Sequence, residues 1–255
     1  NSRPSVSMAL ASMFVAVAAG ARHGLEISFG LYFWELRQSE LATLATVSVI
    51  GGFLGVFLAP MVGHRLGKKG GAITMFLLGI FVHVTPVSLR LLGLAPANGT
   101  PELLWLLYGE EIINATMAAI IAILLASLIA DVVEDAEVKT GRRSEGLLLS
   151  ANSLIRKAVS SGGILAATTV LALVGFPDKA ERGEVAPEVL HSLGLAYIPV
   201  ILGFYGVAIA LISAYTIDRD KHAENLETLR LRASEAAAAE AGPGIGSGEV
   251  APDQR

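Results

Sequence analysis

Four long apolar stretches of this chain contain charged or strongly polar side chains. A charge in hydrocarbon costs roughly 2.5–3.5 kcal/mol on insertion scales, so each such group marks a potential site. The densest set is Asn152, Ser153, Arg156, Lys157, Ser160 and Ser161. Asn152, Arg156 and Ser160 recur every four residues, as do Ser153, Lys157 and Ser161, a spacing that builds one broad polar helix face. Lys157 falls about ten residues into its segment, or about 15 Å along a helix, near the middle of a bilayer. An amine at that depth requires a counter-charge or a water-filled cavity. The two readings are a solute-binding lysine on a wet pathway and a structural lysine paired with a carboxylate outside this sequence.

Three further groups have the same character. Arg22, His23 and Glu26 sit near or past the middle of the first apolar stretch, with Arg22 and Glu26 four apart and able to pair. They read as a cavity or coupling site, or as a structural pair between helices. Glu110, Glu111 and Asn114 form a polar group in the outer third of the fourth stretch, with Glu110 and Asn114 on one face. Adjacent carboxylates could attract a cation, or could face outer water without a role. His83 stands alone in the third stretch, where a packing role is the simpler reading. Chemistry of other kinds has little support. Cysteine is absent, which excludes thiol nucleophiles and thiolate metal sites, and the five histidines show no paired-ligand spacing, so no metal site is expected. The net charge of −4 argues against a nucleic-acid partner.

The elements that must hold these groups follow from composition. Of 255 residues, 53% are hydrophobic and 16% charged, against about 25% charged in soluble domains. Mean hydropathy is +0.60. Apolar runs of about 20 residues match the roughly 30 Å of hydrocarbon in a bilayer, and six are expected, at about 6–33, 41–62, 72–94, 103–130, 147–175 and 192–217. In lipid each must be helical to satisfy its own backbone. Gly51, Gly52 and Gly55 permit close helix contact in the second span, as do Gly162 and Gly163 in the fifth, and Pro60, Pro86 and Pro199 can kink their helices. Residues 1–217 thus form a transmembrane unit. Residues 218–241, rich in Ala, Glu, Leu and Arg, read as a polar helix outside the bilayer, and 242–255 as a Gly/Pro-rich disordered tail.

Lysines and arginines set the orientation. Arg65, Lys68 and Lys69 lie between the second and third spans, and Lys139, Arg142 and Arg143 between the fourth and fifth. Arg219, Lys221, Arg230 and Arg232 follow the last span, whereas the opposite side has only Arg37, Lys179 and Arg182. The basic side, with both ends of the chain, is expected to be cytoplasmic in a plasma (inner) membrane. The first residue is Asn1, and 1–5 read as the end of a linker, so the chain is expected to be a piece of a longer one.

Residues 130–146, ADVVEDAEVKTGRRSEG, are followed by a helix reaching Lys157. This pattern resembles the glycoside–pentoside–hexuronide:cation symporters, typified by melibiose permease, within the major facilitator superfamily. The matching residues are Asp131, Glu134, Glu137, Lys139, Arg143, Glu145 and Lys157. RLGKKGG (65–71) is similar to the basic loop of a facilitator half, and LYFWEL (31–36) to the end of the seventh helix of these symporters. The resemblance implies an all-α membrane protein with six transmembrane helices forming the C-terminal half of a twelve-helix fold. It implies a symporter, not an enzyme, coupling sodium or proton entry to a sugar, glycoside or related solute. It also implies no cofactor, and a coupling-ion site mainly in an N-terminal half outside this sequence.

Residue by residue, the resemblance places Lys157 beside a central cavity, with Asn152 and Ser153 one turn before it and Arg156 on the same polar face. Asp131, Glu134, Glu137, Arg142, Arg143 and Glu145 fall on a charged cytoplasmic loop that closes the inner side. Its partners would be the solute, the lipid bilayer and the other half. Related branches carry other cargo such as lysolipids, so the solute stays open. Rival readings are a non-transporting sensor, a channel, or a membrane enzyme built on Glu110, Glu111 and His83, which lie on different helices.

Overall fold

The computed structural model describes residues 3–140, 162–177, 180–214, 227–231 and 234–235. The elements among them are helical. Helix α1 (Arg3–Ser28) runs into a π-helical turn at Phe29–Phe33. Helix α2 is Gln38–Leu91, α3 is Pro101–Thr140, α4 is Gly162–Leu173 and α5 is Pro187–Ser213. Three of these, α2, α3 over Pro101–Asp135, and α5, are long and apolar enough to cross a membrane.

The 54 residues of α2 would measure about 81 Å as one rod, far more than a bilayer. The helix is in fact broken at Gly67, with φ 74° and ψ 162°. Glycine takes this left-handed backbone without the steric cost a Cβ would impose. Two limbs result, corresponding to the expected second and third spans. The break falls in the basic loop and not at Pro60 or Pro86, across which the helix continues.

Helix α3 corrects the sequence reading. The fourth span was expected to end at Ala130 and pass into a loop, whereas helix persists to Thr140. Asp131, Glu134 and Glu137 therefore stand on a helical extension and not on a loop. The stretch contains Ala, Glu and Lys, good helix formers, and no Gly or Pro to end it. Helix α5 also begins earlier than expected, because Pro187 occupies its first turn, where a missing N–H costs nothing.

Close approach of α2 and α3 is set by small residues. A Cβ on Gly51 would lie 2.6 Å from the Ile112 carbonyl oxygen and 2.8 Å from Ala115 Cβ. The Thr116 hydroxyl donates across this seam to the Gly51 carbonyl at 3.0 Å. Gly163 of α4 meets the backbone of α1 at Val17, Gly20 and Ala21 in the same way. Away from the break in α2, Leu25, Phe33, Leu103, Leu193 and Ile201 are buried together and join α1, α3 and α5. Arg90 closes this end, hydrogen-bonded to Asn98 with its guanidinium 5.0 Å above the Trp34 ring. Large apolar side chains such as Phe57 (78% exposed) and Trp105 (76%) point outward, as lipid-facing surface does.

Candidate functional site

A cavity of about 390 Å³ opens between α1, α2, α3 and α5. Its wall combines apolar residues with Arg22, His23 and Glu26 from α1, Ser48 and His83 from α2, Glu110 and Glu111 from α3, and Tyr197 from α5. Polar residues from five of the six apolar stretches thus converge on one space. Helical periodicity explains each contribution. Arg22 and Glu26 share a face of α1, and their side chains stand 4.0 Å apart. His23 Nδ1 lies 3.3 Å from the same Glu26 carboxylate.

On the facing wall, His83 is 5% exposed and its Nδ1 lies 3.4 Å from Glu110 Oε1. This contact bridges the second limb of α2 to α3. His83 is therefore not a lone packing histidine, although its ring also rests 5.9 Å from that of Tyr205. Glu111 and Asn114 are buried, and the Asn114 amide donates to Glu111 at 3.3 Å. Both glutamates of the acidic pair line the cavity. Asn114 does not serve Glu110, with which it shares a sequence spacing; it serves Glu111. Arg22, His23, Glu26, Glu110 and Asn114, proposed from spacing as separate groups, form one neighbourhood here.

Phe29, Trp34 and Tyr197 also belong to the wall, and Phe29 and Tyr197 pack with ring centroids 4.7 Å apart. Sequence reasoning singled out neither Phe29 nor Tyr197 nor Ser48, and it reached Trp34 only as part of the LYFWEL stretch. The signal available was the aromatic cluster FGLYFW at 29–34, where the π turn re-aims the side chains. The chemistry such a wall can perform is binding: carboxylates and a guanidinium for hydroxyl groups or cations, and aromatic rings for apolar sugar faces.

A second ionic cluster lies at the end of the helices where α2 breaks. Lys68 Nζ contacts Asp131 Oδ1 at 2.6 Å, and Asp131 is 4% exposed. Lys69 Nζ donates to the Ser213 carbonyl of α5 at 2.7 Å. The basic loop after Gly67 thus ties α3 and α5 together. Of the expected gate residues, Asp131 is in this cluster, and Glu134 and Glu137 lie one and two turns further along α3. Arg142, Arg143 and Glu145 lie outside the described residues, as do Asn152, Ser153, Arg156 and Lys157.

Residues 1–219 match the family model described as MFS/sugar transport protein. The chain is also 23% identical, over 220 residues, to a raffinose carrier protein of Pediococcus pentosaceus. That match covers 85% of this chain and 32% of the relative, so the chain spans about a third of the relative's length.

Proposed function

The chain belongs to the MFS/sugar transport protein family, and on that premise we propose that its parent protein is a cation-coupled symporter of a sugar or glycoside. It is a membrane protein. In the proposed arrangement it supplies a half of six helices, with the basic loop after Gly67 and both chain ends on the cytoplasmic face of the plasma membrane. The cavity between α1, α2, α3 and α5 opens toward the other half and takes the solute. Alternating access then consists of rocking one half against the other around that site.

One observation supports this above others: a 390 Å³ space walled by one arginine, two histidines and three glutamates lies among membrane-crossing helices. Burying such groups without a wet path or a ligand would be costly. The volume lies within the range of about 300–1,000 Å³ typical of small-molecule pockets. The Lys68–Asp131 pair supports an inner closure, since ion pairs of a few kcal/mol suffice to bias a two-state equilibrium. Raffinose, the cargo named for the bacterial relative, is the first solute to test.

The test is uptake of labelled raffinose and simpler galactosides by vesicles containing the full-length protein, under imposed sodium or proton gradients. Gradient-driven accumulation of one of these sugars is expected. Flux that ignores the gradient would indicate a channel. Binding without flux would indicate a sensor, and indifference to sugars alongside lysolipid movement would redirect the cargo.

A further inference from the structure

We infer that the His83–Glu110 bridge is a proton-binding site that serves the coupling step. The inference rests on the transport reading for its purpose but not for its chemistry. The resemblance placed the coupling ion mainly in the other half; the geometry of this half points to a second location for a proton.

Three observations lead there. First, the bridge is interhelical and enclosed: the His83 side chain is 4% exposed, that of Glu110 20%, and both border the cavity. Second, each neighbouring acid has another partner. Glu26 is held by Arg22 and His23, and Glu111 by Asn114. Among the described residues, His83 is the ion-pair partner that Glu110 has. Third, the wall is short of positive charge. In the wall one guanidinium, that of Arg22, stands against the three carboxyl groups of Glu26, Glu110 and Glu111. In a low-dielectric setting that imbalance draws a cation.

The chemistry of the pair selects which cation. Hard metal ions take oxygen ligands, whereas the group bound to Glu110 is an imidazole, the side chain whose proton exchanges between pH 5 and 8. Among the described residues no group of three or more His, Asp or Glu is arranged to hold a metal ion. The step balances simply. A hydronium ion in the cavity gives its proton to the imidazole nitrogen that faces away from Glu110, its O–H bond breaking as the N–H bond forms and water being left, while the nitrogen facing Glu110 keeps its own proton and donates to the carboxylate. The wall gains one positive charge. Release reverses this when the cavity opens to the other side: the new N–H bond breaks and its proton returns to water as hydronium. The groups facing the bridge are Arg22, His23 and Glu26 from α1, Ser48 from α2, Glu111 and Asn114 from α3, and Tyr197 and Tyr205 from α5. The described part of α4, Gly162–Leu173, contains no titratable side chain.

Two measurements on the full-length protein in nanodiscs or vesicles test this. The first is nitrogen NMR of its histidines over pH 5–9. One imidazole, missing from the spectrum of His83→Gln, is expected to protonate reversibly, and Glu110→Gln is expected to move that transition along the pH axis. An imidazole that stays in one state throughout, or that ignores Glu110→Gln, overturns the site. The second is solute accumulation under a pH gradient of about one unit, which can sustain up to about tenfold accumulation in a one-proton symport. The parent is expected to approach that ratio, and His83→Gln and Glu110→Gln to fall to about unity. Accumulation driven by sodium alone and indifferent to the pH gradient overturns the coupling role. If the imidazole titrates as expected but no solute moves under any gradient, the transport reading fails and the proton site stands.

Discussion

Replacing Gly51 by alanine puts a methyl group into the tightest part of the seam between α2 and α3. The new carbon would lie 2.6 Å from the Ile112 carbonyl oxygen, 2.8 Å from Ala115 Cβ and 3.2 Å from Ile112 Cα. Two of these three atoms belong to helix backbone, so no side-chain rotation relieves them. Relaxing the oxygen contact to about 3.4 Å requires the helices to part by about 0.8 Å, and such overpacking costs about 1–3 kcal/mol. The Thr116 hydrogen bond to the Gly51 carbonyl, at 3.0 Å, lies at the same point and lengthens with the separation. Interhelical bonds of this kind contribute about 0.6 kcal/mol in membranes. Against this, alanine gains about 1 kcal/mol in helix propensity. The net loss is then about 0.6–2.6 kcal/mol, or roughly three- to eightyfold in the folded-to-unfolded ratio.

Gly52 is the internal comparison, since a Cβ there meets nothing within 4 Å. Gly52→Ala should retain stability or gain up to about 1 kcal/mol from propensity alone. The assay is unfolding of the full-length protein by denaturing detergent titrated into mild-detergent micelles, with helicity as the readout. Equal midpoints for Gly51→Ala and Gly52→Ala would refute the close approach of α2 to α3 at Ile112.

Two other perturbations act where α2 turns back. Gly67→Ala should destabilise by about 1 kcal/mol or more, because φ 74° is strained for any residue with a Cβ; a thermal unfolding scan would show the loss. Lys68→Gln leaves the buried Asp131 carboxylate without its 2.6 Å partner. With Lys68 about a third exposed, a loss of roughly 1–3 kcal/mol is expected, below the value for fully buried pairs. The exchange Lys68→Asp with Asp131→Lys should recover part of it, and a double-mutant cycle on stability and on initial uptake rate measures the coupling. No recovery in the exchanged protein would remove this pair from the proposed inner closure.

How much was legible beforehand varies by residue. The Arg22–Glu26 pair was readable because both members share one helix and the α-helical period places them on one face. The packing role of Gly51 and Gly55 was readable because small residues four apart have one dominant use in lipid. The helical nature of Asp131–Thr140 was not, because clustered charge looks the same in a loop and in a helix that has left the membrane. The partner of Asn114 was not readable, because spacings of three and four are both neighbours on a helix, and only the local geometry chose Glu111 over Glu110.

Apolar run length establishes from the sequence alone that this chain belongs to a helical membrane protein. This is a one-dimensional property, since a helix that crosses lipid satisfies its backbone within itself and leaves its mark locally in the chain. The meeting of His83 with Glu110, of Lys68 with Asp131, and of both histidines, one arginine and three glutamates around one cavity is different. His83 and Glu110 are 27 positions apart, and Lys68 and Asp131 are 63 apart. No period links such separations. Only the crossing of α2 with α3, brought close by glycines and turned back at Gly67, decided which buried charges became partners.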